Sequence, residues 1–165
     1  MKKIVLTVLL IIISFGAIGA NEGKIDSILL SMESQYEIES VRMKGSLFRM
    51  MMPLMKIDRQ TRKAFKAMNI EEIVITDFQD EPKQIASKVV VQLSEALEAT
   101  GYMMVQQKEP ASDEEVKVDS YALIESEKVL GMAILTHFPK ASFLWIRCSM
   151  DIEKLEEMVG ATMPK

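Results

Sequence analysis

Met50, Met51, Met52 and Met55 crowd into one segment beside Arg49 and Pro53, in a chain with 14 methionines. Clustered thioethers suit a soft ion such as Cu(I). On a helix, Met51 and Met55 share a face while Met50 and Met52 are displaced around it. Their sulfurs converge only if the backbone is irregular near Pro53. Filling gaps in a core, or supplying an adaptable apolar contact surface, is the simpler account.

The remaining candidates are weaker still. His137 is the single histidine, so any histidine-based triad must use it. Yet Ser142 and Ser149 lack the G-x-S-x-G context of a nucleophile, and no aspartate has a spacing that predicts it would orient the ring. Cys148 reads as a small buried residue, since a strand would point the neighbouring Arg147 to the other face. Asp113, Glu114, Glu115 and Asp119 fail the alternation and central glycine of an EF-hand loop. Glu125 and Glu127 fall in an expected turn, where water leaves carboxylates ordinary. No motif for a metal or cofactor emerges. Trp145 and Tyr121 are the aromatic candidates for an exposed interaction face, against a reading of Trp145 as part of a strand covered on both sides.

The elements that would carry these residues follow from periodicity. Ile25, Ile28, Leu29, Met32 and Tyr36 make the stripe of an amphipathic first helix. Val41, Met43, Gly45 and Leu47 alternate with Arg42, Lys44 and Ser46, the pattern of a half-buried strand. An uneven helical stretch follows, broken at Pro53, and then a short helix bearing Ala64, Phe65 and Met68. Glu71 to Phe78 reads as a strand. Asp80 and Glu81 then supply a cap and Pro82 a first turn for a long helix. Its stripe is Ile85, Val89, Leu93, Ala96 and Leu97, and Gly101 stops it.

Beyond that point strands dominate. Tyr102 to Lys108 is one, and Val116, Val118, Ser120, Ala122 and Ile124 alternate through the next. Val129 to His137 and Ser142 to Met150 form two apolar runs suited to an antiparallel hairpin. Asp151 caps a last helix with Ile152, Leu155, Met158 and Val159 on its apolar face, ended by Gly160. The expectation is a single α+β domain over residues 21–165: a mixed, mostly antiparallel sheet with amphipathic helices on one face, the other open to water or a partner.

Residues 1–20 carry a different signal. Lys2 and Lys3 precede an apolar run from Ile4 to Ile13 interrupted only by Thr7, with small residues following, as in a secretory signal peptide. The run is too short for a bilayer span. Cleavage between Ala20 and Asn21 is preferred over cleavage after Gly19. Asn21 stands where a lipoprotein needs cysteine, so no lipid anchor is expected. Cys148 is alone, and no internal disulfide can form. Without Lys2 and Lys3 the balance is 18 basic against 24 acidic residues, a net −6. Nucleic acid is an unsuitable partner for that charge, and the basic stretch Lys56 to Lys66 reads as a solvated helix face.

The arrangement from Val41 to Val159 resembles one family, the exported Bacteroidetes proteins called domain of unknown function 4252. The resemblance lies in the Val41 to Leu54 passage, the step Gly101-Tyr102-Met103-Met104, the strand Val129 to Leu135, and Cys148-Ser149-Met150-Asp151-Ile152. Family members often show Gly-x-Ile-Asp-Leu at that last place, and here Cys148 stands for the glycine. The resemblance implies an exported envelope protein of α+β fold, with no activity, cofactor or catalytic residue to carry over. The functional expectation is a non-enzymatic module that binds an envelope protein or a ligand, in the periplasm or outside the cell. A periplasmic Cu(I)-binding protein is the alternative. Which apolar stripes lie on the surface decides how far a binding role is supported.

Overall fold

The computed structural model describes residues 22–110, 112 and 116–154. The expected signal peptide with its Ala20–Asn21 junction, the acidic residues Asp113 to Glu115, and Leu155 to Gly160 of the last helix lie outside the described residues.

Helix α1 (Glu22–Tyr36) precedes strand β1 (Ser40–Lys44), helix α2 (Gly45–Met51), one 3-10 turn (Met52–Leu54) and helix α3 (Arg59–Ala67). Strand β2 (Glu72–Asp77) and the long helix α4 (Lys83–Ala99) follow. The chain then runs through β3 (Met103–Lys108), β4 (Val118–Glu125), β5 (Lys128–Thr136) and β6 (Ser142–Asp151). The strands form one six-stranded sheet in the order β1-β2-β6-β5-β4-β3. Every neighbouring pair is antiparallel, and the expected α+β class holds.

β6 is central because Phe143-Leu144-Trp145-Ile146 is apolar on both sides, and it is flanked by β2 and β5. One face packs under α1 and α4. Ile25, Leu29 and Met32 of α1 meet Val89, Leu93 and Leu97 of α4 over Val74, Tyr121, Leu123, Leu135, Phe143 and Trp145. The periodic stripes of both helices are thus the buried ones. On the opposite face a second, smaller core joins Phe48, Met52, Met68 and Ile70 to Ile73, Ile146, Cys148 and Met150. That face is therefore covered in part by α2 and α3. Val41 and Ile75, paired across β1 and β2, stay exposed on it.

Three local expectations change. The alternation through Leu47 is not a strand: β1 ends at Lys44 and α2 begins at Gly45. The reason is a close approach, because a Cβ on Gly45 would lie 1.7 Å from the Ile70 carbonyl oxygen. Gly45 N–H also donates to Glu71 O at 2.6 Å, which turns the chain out of the sheet. Leu47, Phe48, Met51 and Met52 fit a helical repeat as well as an alternating one, and tertiary packing selects the helix. In β4 the main core takes Asp119, Tyr121 and Leu123 rather than the parity of Val118, Ser120 and Ala122. Neither Asp80 nor Glu81 caps α4. Pro82 occupies the cap position and its carbonyl accepts from Ile85 N–H and Ala86 N–H.

The other end of α4 closes as its glycine indicates. Gly101 takes φ 91°. Its N–H donates to Glu98 O and Tyr102 N–H to Leu97 O, the paired bonds of a Schellman ending. Tyr102 is thereby aimed into the core, where its hydroxyl accepts the Trp145 indole N–H at 2.7 Å. Gly131 of β5 leaves the space: a Cβ there would stand 2.1 Å from the Tyr102 hydroxyl. We expect Gly131→Ala to lower stability by about 2 kcal/mol through overpacking, read as a fall in the urea midpoint. Tyr102→Phe, which leaves the indole N–H without its acceptor, is expected to cost about 1–3 kcal/mol. Because both disturb one contact, the combined loss should be less than the sum.

Candidate functional site

The methionine segment divides between inside and outside. α2 and its 3-10 turn have one face on the second core through Phe48 and Met52, with Met55 packed partly against it. Phe48 meets Phe65 of α3 edge to face, ring centroids 5.1 Å apart. The other face carries Leu47, Met50, Met51 and Leu54, at the three- and four-residue spacing of one helical stripe. All four are exposed, at 42%, 70%, 36% and 84% respectively. Met52 thus points into the core while Met50 points to water, so the four thioethers of the alternative Cu(I) reading do not share one surface. What the segment presents instead is an apolar ridge that no element among the described residues covers.

Trp145 and Tyr121, the aromatic candidates for an exposed face, are 0% and 1% exposed. They belong to the main core. The Tyr121 hydroxyl is bonded to Ser94 Oγ at 2.8 Å, and burial raises its pKa above the ordinary phenol value. α4 covers the parity of β4 that carries Tyr121, which is why the aromatic sits beneath a helix rather than in a contact surface.

One constellation was invisible in the sequence. His137 Nε2 lies 2.6 Å from Asp119 Oδ2. Asp119 is buried, and its other oxygen accepts from Gln107 Nε2 at 3.0 Å. Strand pairing brings these together, since Asp119 stands opposite Gln107 in β3 and Leu135 in β5. A carboxylate that orients an imidazole is half of a triad. Among the described residues, however, His137 has no hydrogen bond to a serine, threonine or cysteine. Ser142 Oγ is engaged with Thr136 Oγ1 at 2.7 Å. The arrangement joins β3, β4 and the end of β5, with an imidazole that is partly exposed.

Cys148 is buried in the second core. Burial, with a smaller contribution from Glu71, pushes its thiol up to about 11. It stands in extended strand, so this chain needs no glycine's freedom at that place. Glu125 ends β4, and Glu127 takes φ 64° in the β4–β5 turn. Among the described residues no group of three His, Cys, Asp or Glu side chains is placed to hold a metal ion. Also among them, no helix is long and apolar enough to cross a membrane. A shallow open groove of about 410 Å³ lies between α1 and α4, lined by Lys24, Ser27, Ile28, Gln92, Glu95 and Ala96.

Comparison of the chain with protein-family models, with curated proteins and with solved structures finds no match. The functional reading therefore rests on geometry.

Two outcomes follow. A thiol reagent at about pH 8 should leave Cys148 unmodified in the folded protein and modify it fully in denaturant, because only the thiolate attacks; fast labelling of the folded form would overturn the buried, protonated state. Asp119→Ala, which strands His137 and Gln107 without their shared acceptor, is expected to cost about 1–3 kcal/mol in urea unfolding.

Proposed function

We propose that the protein is an exported, non-enzymatic interaction module of the cell envelope that docks through the ridge Leu47, Met50, Met51 and Leu54. One observation carries this reading: four large apolar side chains at helical spacing are exposed together on α2 and its 3-10 turn. Single exposed apolar residues are ordinary, but a contiguous set marks a contact surface. Methionine suits such a surface because its unbranched, polarisable side chain adapts to a partner's shape. The stripe of α1, the other candidate, is spent on the main core.

Export rests on the pattern of residues 1–20, and the resemblance to the exported Bacteroidetes family points the same way. A hydrolase built on His137 has an oriented imidazole in its favour but lacks a nucleophile bonded to it. Cu(I) binding by Met50, Met51, Met52 and Met55 has against it the inward direction of Met52.

A photo-crosslinking residue placed at position 54 in the producing cell is expected to give adducts, protein or lipid, that the same residue at the exposed Val91 of α4 does not. Absence of adducts at 54, or equal yields at both positions, would refute docking through the ridge.

A further inference from the structure

The ridge does not stand alone on its layer. α3 is packed beside α2 through Phe65 and Phe48, and Arg62 Nη2 donates to Met55 O at 3.4 Å. The inward side of α3 carries Phe65, with Met68 following in the same core. Its outward side carries the exposed Arg59, Lys63 and Lys66, again at spacings of three and four. Asp58 opens that helix by accepting Thr61 N–H at 2.9 Å, so the one acid of the region is occupied at a helix end. An apolar stripe and a basic stripe thus run on two adjoining helices over the same part of the sheet.

The charge is concentrated there. Between Gly45 and Ile70 the chain holds six of its 20 basic residues and one of its 24 acidic ones, net +5 in a chain of net −4, which leaves −9 elsewhere. Arg49, Lys56, Arg59, Lys63 and Lys66 are exposed in that interval. A protein partner could match the apolar stripe alone. An apolar ridge bordered by a strip of positive charge, on a body of the opposite sign, fits a surface that is negative at its face and hydrocarbon just beneath. Leucine and methionine would enter the boundary between headgroups and chains while lysine and arginine stay among the phosphates.

We propose that this layer seats the protein on an anionic phospholipid bilayer. The inference rests on the docking role assigned to the ridge and names what it docks to. The ridge and the basic stripe together set which side of the molecule would meet the lipid.

Co-sedimentation of the full protein with phosphatidylglycerol–phosphatidylethanolamine vesicles tests it, with phosphatidylcholine vesicles as the neutral control. Binding should favour the anionic vesicles at least about tenfold and weaken as salt rises from about 0.05 M to 0.5 M. The pair Met50→Ser with Leu54→Ser, and the pair Arg59→Glu with Lys63→Glu, should each reduce it by about tenfold or more. These four side chains are exposed, so unfolding midpoints should stay near the parent's and separate lost binding from lost folding. An environment-sensitive dye on Leu54→Cys should shift to the blue with anionic vesicles only; Cys148 is buried and will not compete for the label.

No binding by the parent, equal binding to both lipids, or variants that bind like the parent would overturn the proposal. If crosslinks at position 54 go to a protein while anionic vesicles are ignored, the lipid assignment falls and the docking ridge stands. If neither appears, both fall.

Discussion

Trp145 is the largest fully buried side chain and lies on the central strand, and its indole N–H cannot be left without an acceptor in that setting. An unmade bond there would cost as much as several ordinary contacts contribute. The acceptor is the Tyr102 hydroxyl, and supplying it imposes conditions on separate parts of the chain. α4 must end in a left-handed residue so that Tyr102 turns inward, which Gly101 provides. β5 must lack a side chain where the hydroxyl sits, which Gly131 provides. One donor in the middle of the sheet thereby sets a helix end and a strand residue, and holds α4 against β5 and β6.

The second face is organised by a different compromise. α2, its 3-10 turn and α3 are short, and each can bury one side only. Phe48, Met52, Phe65 and Met68 are enough to cover one end of the sheet, and Gly45 lets the chain turn close against Ile70 to place them there. Helices this short would be marginal alone; the sheet beneath holds them. Because their stability is tied to the inner side, the outer side is released from packing duty, and its composition answers to what lies outside the molecule. Leu47, Met50, Met51 and Leu54 are apolar there without any demand from the core.

Periodicity revealed most of the architecture: both stripes of the main core, the central position of the Phe143 to Ile146 run, and the break at Pro53. It failed where pattern is degenerate or contacts are remote. Leu47 to Met52 satisfies two repeats at once, and only the approach of Gly45 to Ile70 decides between them. In β4 the alternation was visible but not which parity faces α4, so Tyr121 could be read as surface. Asp119 and His137 meet because β4 pairs with β5, a register that no local spacing encodes. The methionine cluster is plain in the sequence. That its outward half continues through Leu47 and Leu54, and that α3 sets a basic stripe beside it, depends on knowing which sides of two helices are taken.

The strand order has a consequence for time as well as shape. β2 is flanked by β1, its neighbour in sequence, and by β6, the last strand among the described residues. The Arg147–Glu72 contact across that seam spans 75 residues. Such distant pairings carry a large loop-closure cost and form slowly. The β1–β2 pair must wait for its second neighbour until Ser142 to Asp151 arrives. A chain cut short before Ser142 would therefore keep β2 paired on one side only, and the six-stranded sheet closes only once β6 is in place.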